Sequence, residues 1–158
     1  MMTTEVSDAP HLGLVPAARM RAALTAAGYA GALPLQRADV TDTDLGGYTP
    51  WGKRLGVALR RTAPGEPVDV LTRVFLLGLP VPAADAARAL AGSGLDPWFE
   101  CGVLARGGDV VRATCQLAPA RGLYLATDAR WHGDPGPRHV MGYAKSTETL
   151  ADATIRRR

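Results

Sequence analysis

The chain has 158 residues, of which 47% are hydrophobic and 21% are charged, close to the usage of an ordinary globular domain. This composition excludes a disordered or fibrous chain. The formal net charge of +3 comes from the three arginines at positions 156–158, without which acidic and basic residues balance. Phosphate binding needs clustered Lys and Arg, so the charge does not favour a polyanion as partner.

Cysteine usage and the N-terminus predict a cytoplasmic location. Only Cys101 and Cys115 are present, too few for a disulfide framework, and both lie in apolar patterns typical of buried, unreactive thiols. The N-terminus lacks the basic start and continuous apolar stretch of a signal peptide. The most apolar run, 74–81, is too short to span a bilayer. We therefore expect no membrane partner.

The first half of the chain has one clear helical pattern. Residues 1–12 are polar without periodicity, which is typical of a flexible tail. A helix is expected to begin at Pro16 and to end at Gly28. Its apolar residues recur every three or four positions: Met20, Leu24 and Ala27. Glycines and prolines interrupt the pattern from 29 to 67, where one or two helical turns are expected at 55–60.

The strongest core helix comes next. Its apolar residues share one helical face: Val70, Leu71, Val74, Phe75 and Leu77. Gly78 is placed to end this helix. Pro82 then opens a second short helix over 83–90, which Gly92 is expected to close.

A third helix and a hairpin follow. Asp96 is a good N-cap for a helix that ends at Gly102, and Trp98 on this helix is expected to lie in the core. Gly107-Gly108 supplies a turn between two antiparallel strands, the second of which covers 110–117.

Alternation supports the strand prediction. Along 110–117, apolar residues occupy one face and polar residues the other, and a further strand is expected over 123–127. Short helices followed by a small antiparallel sheet predict an α+β fold with the element order of a winged helix. We assign this winged-helix-like domain to 13–130.

Three segments carry a family resemblance: LLGLPVPAADAARAL (76–90), FECGVLARGGDVVRATCQLAP (99–119) and RHVMGYAKSTETLADATIRR (138–157). They resemble the N-terminal domain of actinobacterial class I S-adenosylmethionine (SAM)-dependent methyltransferases, related to the HemK and PrmC type. The resemblance implies that 131–158 is a connecting segment, which would lead into a catalytic domain absent from this chain.

The resemblance also implies where the cofactor would bind. In that family the stretch matching 149–157 precedes a Rossmann-like domain with a glycine-rich SAM loop and an Asn-Pro-Pro-aromatic motif, and neither motif occurs in this sequence. We therefore expect this chain to bind no cofactor alone. Gly142, Ser146 and Thr147 would lie near SAM only with a catalytic domain present.

Few other residues suggest a site. His11, His132 and His139 have no second ligand at metal-binding spacing, so no metal is expected. Trp131 lies in a loop rich in glycine and proline, which is typical of an exposed aromatic side chain. With Arg138 and His139 it is our candidate for contact with a substrate or partner.

These observations lead to two hypotheses of different classes. The first is a non-catalytic accessory domain that recognises substrate and packs on a methyltransferase catalytic domain, in cis or in trans, or self-associates through 149–155. The second is a stand-alone winged-helix regulator in which 83–90 or 97–102 enters the major groove of DNA. Because these helices offer only Arg88 as a cation, nucleic-acid binding is disfavoured. Binding of a metabolite or carrier protein is a third possibility that no residue specifically supports.

Overall fold

The computed structural model of the protein describes residues 14–39, 55–128 and Thr149. The α-helices in the described ranges are α1 Leu14–Ala26, α2 Leu33–Ala38, α3 Leu55–Arg61, α4 Pro67–Leu71, α5 Ala83–Ala89 and α6 Asp96–Glu100, and a π-helix spans Thr72–Leu76. The strands are β1 Val81–Pro82, β2 Leu104–Gly107, β3 Val110–Ala113, β4 Cys115–Ala120 and β5 Leu123–Asp128. The predicted α+β fold is confirmed.

Helix α1 follows its predicted pattern closely. Met20 and Leu24 are buried, and Gly28 ends the helical segment in the left-handed conformation, with φ at +74°. Such a backbone conformation suits glycine because a Cβ would be strained there. The helix begins at Leu14, so Pro16 occupies its first turn instead of its first position.

The core helix is partly a π-helix. All five residues of its predicted apolar face are buried, and Leu76 is fully buried as well. Leu76 was not part of the predicted face. The π-turn that follows α4 explains its burial, because the wider turn changes the direction in which successive side chains point. This helix packs against both β4 and α2, so its burial extends beyond one face.

The start of α4 joins it to α2. Glu66 and Asp69 form a capping box, in which each side chain accepts a hydrogen bond from the backbone of the other residue. Arg37 of α2 pairs with Glu66, and its Nε lies 3.5 Å from a carboxylate oxygen of the buried Asp69. These contacts fix α2 on the core helix.

Two predicted helix boundaries were wrong. Helix α5 ends at Ala89, and the left-handed glycine after it is Gly94, so Gly92 does not close the helix. Leu95 is the N-cap of α6, which makes Asp96 its first helical residue. Local sequence signals place helix ends only within one or two residues.

The three-stranded sheet has the order β1-β3-β2, and β1 lies between the π-helix and α5 along the chain. Gly108, with φ at +70°, lies in the predicted turn between β2 and β3. The single strand predicted over 110–117 is interrupted at Thr114. Its N–H donates to the carbonyl of Val103 at 3.0 Å, and the chain then enters a second sheet.

That second sheet pairs β4 with β5. Strand β4 is buried on both faces, including Gln116, and it packs against the π-helix. Arg121 and Gly122 join the strands with φ values of +49° and +76°, as a type I′ turn requires. Pro119 has no N–H to donate, but its position in β4 does not require one. The residue pair directly beside the two-residue turn exchanges the backbone hydrogen bonds, and Pro119 belongs to the next pair, which exchanges none.

Candidate functional site

A pocket of about 230 Å³ lies between α1 and the β4–β5 hairpin. We call it the hairpin pocket. Its wall includes Arg21 and Thr25 of α1, Ala30 of the following turn, and Pro119, Leu123 and Tyr124 of the hairpin. Leu123 is 46% exposed, so an apolar side chain at this site faces solvent.

Two tyrosines join α1 to the hairpin. The fully buried Tyr29 donates its hydroxyl hydrogen bond to the carbonyl of Leu117 at 2.5 Å. In return, Tyr124 donates to the carbonyl of Tyr29 at 2.8 Å. The two rings stack with centroids 6.4 Å apart, and burial raises the pKa of Tyr29 well above its usual value. The wall of the pocket is therefore fixed by buried contacts.

The polar groups of the pocket have defined roles as donors and acceptors. Arg21 donates from Nη2 to the carbonyl of Gly122 at 3.0 Å. Thr25 donates to the carbonyl of Arg21 at 3.0 Å, and its hydroxyl oxygen lies 3.4 Å from that of Tyr124. A hydroxyl carries one proton and two lone pairs. Each proton has an acceptor within the protein, either a carbonyl or the other hydroxyl, so lone pairs remain on these oxygens for a ligand.

Among the described residues that line the pocket, Arg21 is the only charged one. The guanidinium carries five N–H donors, and its hydrogen bond to Gly122 holds it beside the hairpin. The pocket thus combines one cation, two hydroxyl acceptors and an apolar wall.

The candidate residues from the sequence occupy a different part of the chain. The proposed contact residues Trp131, Arg138 and His139, and the three residues assigned near SAM, Gly142, Ser146 and Thr147, all lie outside the described residues. Of the segment proposed for self-association, 149–155, only Thr149 is described, and it is exposed and helical.

Other sequence predictions fall on described residues. Of the predicted Gly107-Gly108 turn, only Gly108 lies in the turn, because Gly107 ends β2 and pairs with Val110. The two glycines still lie between two strands, not between a strand and a helix as a dinucleotide fingerprint would need. In the described ranges, no three His, Cys, Asp or Glu residues are grouped to hold a metal ion. Across the same ranges, no helix is both long and apolar enough to cross a bilayer.

Both cysteines are buried, as predicted. Burial raises the pKa of Cys115 to about 11, although a hydrogen bond with Thr114 opposes the shift. The raised pKa means that the fold favours the neutral thiol, whereas the thiolate is the reactive form of cysteine. Cys115 is therefore inert at neutral pH.

Raising the pH above about 9 should lower the free energy of unfolding. Cys115 titrates near 9.0 in the unfolded chain and near 11 in the fold, so over this interval the folded state holds a proton that the unfolded state has lost. The full effect is about 2–3 kcal/mol by pH 11, and the raised pKa of Tyr29 adds to it at higher pH. Urea denaturation at a series of pH values checks this, and C115A should show a shallower decline. Equal slopes in both proteins would contradict the assignment to Cys115.

The surface around α5 and α6, which the regulator hypothesis places in DNA, is poor in unpaired cations. Arg88 lies 2.5 Å from Asp85 on the same helix. Helix α6 exposes Asp96 and Glu100, and the guanidinium of Arg106 lies 3.3 Å from Asp96. Arg88 and Arg106 are therefore both paired with carboxylates, which leaves little positive charge here for contact with phosphates.

No pattern in the sequence pointed to the residues of the hairpin pocket. Arg21 and Thr25 stand four positions apart on α1, a spacing that places them on one helical face. Arg21 and its partner Gly122 are 101 positions apart, and no local pattern links them. Only the tertiary structure brings this site together.

The part of the chain that is similar to a known family lies outside the hairpin pocket. Residues 54–114 match a family model described as a domain of unknown function, DUF7059. No curated protein and no solved structure matches the chain. The matched range runs from just before α3 to just after β3, so it contains the β1-β3-β2 sheet with its helices and leaves out α1, α2 and the β4–β5 hairpin.

Proposed function

We propose that this chain is a non-catalytic accessory domain of a SAM-dependent methyltransferase, acting in the cytoplasm. It would pack on the catalytic domain, in cis or in trans, and help present the substrate. The observation that carries the proposal is that two of the resembling segments, 76–90 and 99–119, fold together. They supply the end of the π-helix, β1, α5, the last two residues of α6, β2, β3 and most of β4.

The element order supports a winged-helix-like unit within this domain. The core helix, β1, α5, α6 and the β2–β3 hairpin follow one another along the chain, and β1 pairs with β3 at the edge of the sheet. This order also favours a second candidate function, a DNA-binding regulator. The pairing of Arg88 and Arg106 with carboxylates makes the regulator the weaker candidate, because DNA affinity depends on several phosphate contacts with cations.

In this proposal the catalytic domain binds SAM, and the present chain supplies contacts without chemistry. Residues 131–158 would connect the two units, with Trp131, Arg138 and His139 available to contact substrate. If the catalytic domain is absent, self-association through 149–155 would cover the apolar side chains of that segment.

The test uses the purified chain and a separate catalytic domain that carries the glycine-rich loop and the Asn-Pro-Pro-aromatic motif, encoded downstream or elsewhere in the same genome. We expect no SAM binding by this chain in calorimetry. Adding the chain to the catalytic domain should raise methyl transfer from labelled SAM to a cell extract. The two proteins should also coelute in gel filtration.

Two results would overturn the proposal. Micromolar SAM binding by the chain alone would show a cofactor site that this fold was not expected to hold. Nanomolar, sequence-selective binding to duplex DNA at physiological salt, measured by fluorescence anisotropy, would establish the regulator instead. The proposal expects only weak and non-specific DNA affinity.

A further inference from the structure

We propose that the hairpin pocket binds the free C-terminal residue of a peptide or protein, with an aliphatic side chain at that residue. The inference rests on the pocket alone and does not require the methyltransferase proposal, because the pocket lies outside 54–114. Three features of the pocket match the three groups of such a residue: a carboxylate, an amide N–H and an apolar side chain.

The carboxylate is recognised by Arg21. Its guanidinium carries the pocket's only charge among the described lining residues, and its hydrogen bond to Gly122 uses Nη2 while holding the group against the hairpin. A guanidinium fork matches a carboxylate with paired N–H donors. Because the fork is already positioned, binding costs less side-chain entropy than it would for a free arginine.

The amide N–H is recognised by hydroxyl oxygens. The proton of each hydroxyl, on Thr25 and on Tyr124, has an acceptor within the protein, either a backbone carbonyl or the other hydroxyl. The lone pairs that remain on these oxygens can accept from a ligand. A ligand with an N–H donor suits this pair, whereas one that offers only acceptors does not. An acylated amino acid carries its N–H one carbon away from its carboxylate, so both groups can be met within one small pocket.

The apolar wall and the size of the pocket set the rest of the specificity. Ala30, Pro119 and the exposed Leu123 offer an aliphatic surface. The volume of about 230 Å³ lies below the range of about 300–1,000 Å³ that is typical of sites for drug-sized ligands. One terminal residue fits this volume, and a longer segment would extend beyond it.

The experiment titrates the whole chain, labelled with ¹⁵N, with N-acetylleucine and follows amide shifts by NMR. We expect shifts that centre on Gly31, Gly122 and Tyr124. N-acetylleucinamide, which lacks the carboxylate charge, should bind about 10- to 100-fold more weakly, as expected when a charge-assisted hydrogen bond is lost. The acid 4-methylpentanoate, which lacks the amide, should also bind more weakly than N-acetylleucine. N-acetyl-glycyl-alanyl-leucine should bind at least as tightly as N-acetylleucine if the ligand is a peptide terminus and not a free metabolite.

Protein variants separate recognition from folding. R21Q should weaken N-acetylleucine binding by about 10- to 100-fold, R21K should weaken it less, and Y124F should reduce binding while keeping the stacked ring. R19Q is the matched control, because Arg19 is an exposed arginine on the same helix outside the pocket wall.

Several outcomes would overturn the proposal. One is that N-acetylleucine and N-acetylleucinamide bind equally well, and another is that the amide shifts map elsewhere on the chain. The others are that the tripeptide binds more weakly than N-acetylleucine, or that no shift occurs at the highest soluble ligand concentration. The ligand comparison uses the unaltered protein, so it decides the matter even if a variant fails to fold. Failure here would leave the methyltransferase test unaffected.

Discussion

Replacing Trp98 with alanine should lower the free energy of unfolding by about 3–5 kcal/mol. Trp98 is 1% exposed, and its ring lies 5.4 Å from that of Phe75, so the substitution removes a large side chain from the centre of the core. Its Nε1 also donates to the hydroxyl of Ser93 at 2.9 Å. The loss is a large part of the about 5–15 kcal/mol that stabilises a typical domain.

Urea denaturation followed by far-UV circular dichroism measures this loss. W98F keeps a ring in the core and should cost less than W98A. S93A should cost about 1–3 kcal/mol, because it leaves the indole N–H buried without its acceptor. F99A is the matched control on the same helix, where the partly exposed ring of Phe99 contacts Arg106. A W98A midpoint no lower than that of F99A would contradict the central position of Trp98.

Replacing Leu77 with alanine should cost about 2–5 kcal/mol, whereas deleting residues 145–158 should cost less than about 1 kcal/mol. Leu77 is 2% exposed at the end of the π-helix, where its side chain contributes to the core. We propose that the deleted segment instead connects to a catalytic domain, so the fold of 13–130 should not depend on it.

Chemical denaturation of both variants beside the unaltered chain compares the two costs. Equal or larger damage from the deletion would place 145–158 in the core of this domain. The view of that segment as a connection to a catalytic domain would then have to be abandoned. The deletion variant should also keep its binding to N-acetylleucine, since the pocket wall lies entirely within residues 21–124.

Much of the architecture was predictable because its signals are local. Periodic apolar residues placed α1 and the core helix, and Gly28 and Gly108 marked a helix end and a turn, where a positive φ favours glycine. Alternation identified β3, and the buried state of Trp98 followed from its place on an apolar helix face. Each of these signals depends on residues within a few positions of each other, so local patterns were enough to predict the α+β class.

The remaining features depend on contacts between distant residues. At Thr114 the chain passes from pairing with β2 to pairing with β5, which lies later in the chain. The burial of Gln116 depends on which parts of the fold cover the two faces of β4. A local pattern reports only how a segment distributes its own polarity, not which neighbour will cover it.

The candidate site belongs wholly to this second group. Arg21 and Thr25 lie on an ordinary amphipathic helix, and Tyr124 lies on an ordinary strand, so none is distinctive in sequence. The buried hydrogen bonds of Tyr29 bring that helix and strand together. Local sequence set where the helix and the strand form. The fold then grouped a cation, two acceptors and an apolar wall. No local pattern could predict this grouping, because those residues come from opposite ends of the described structure.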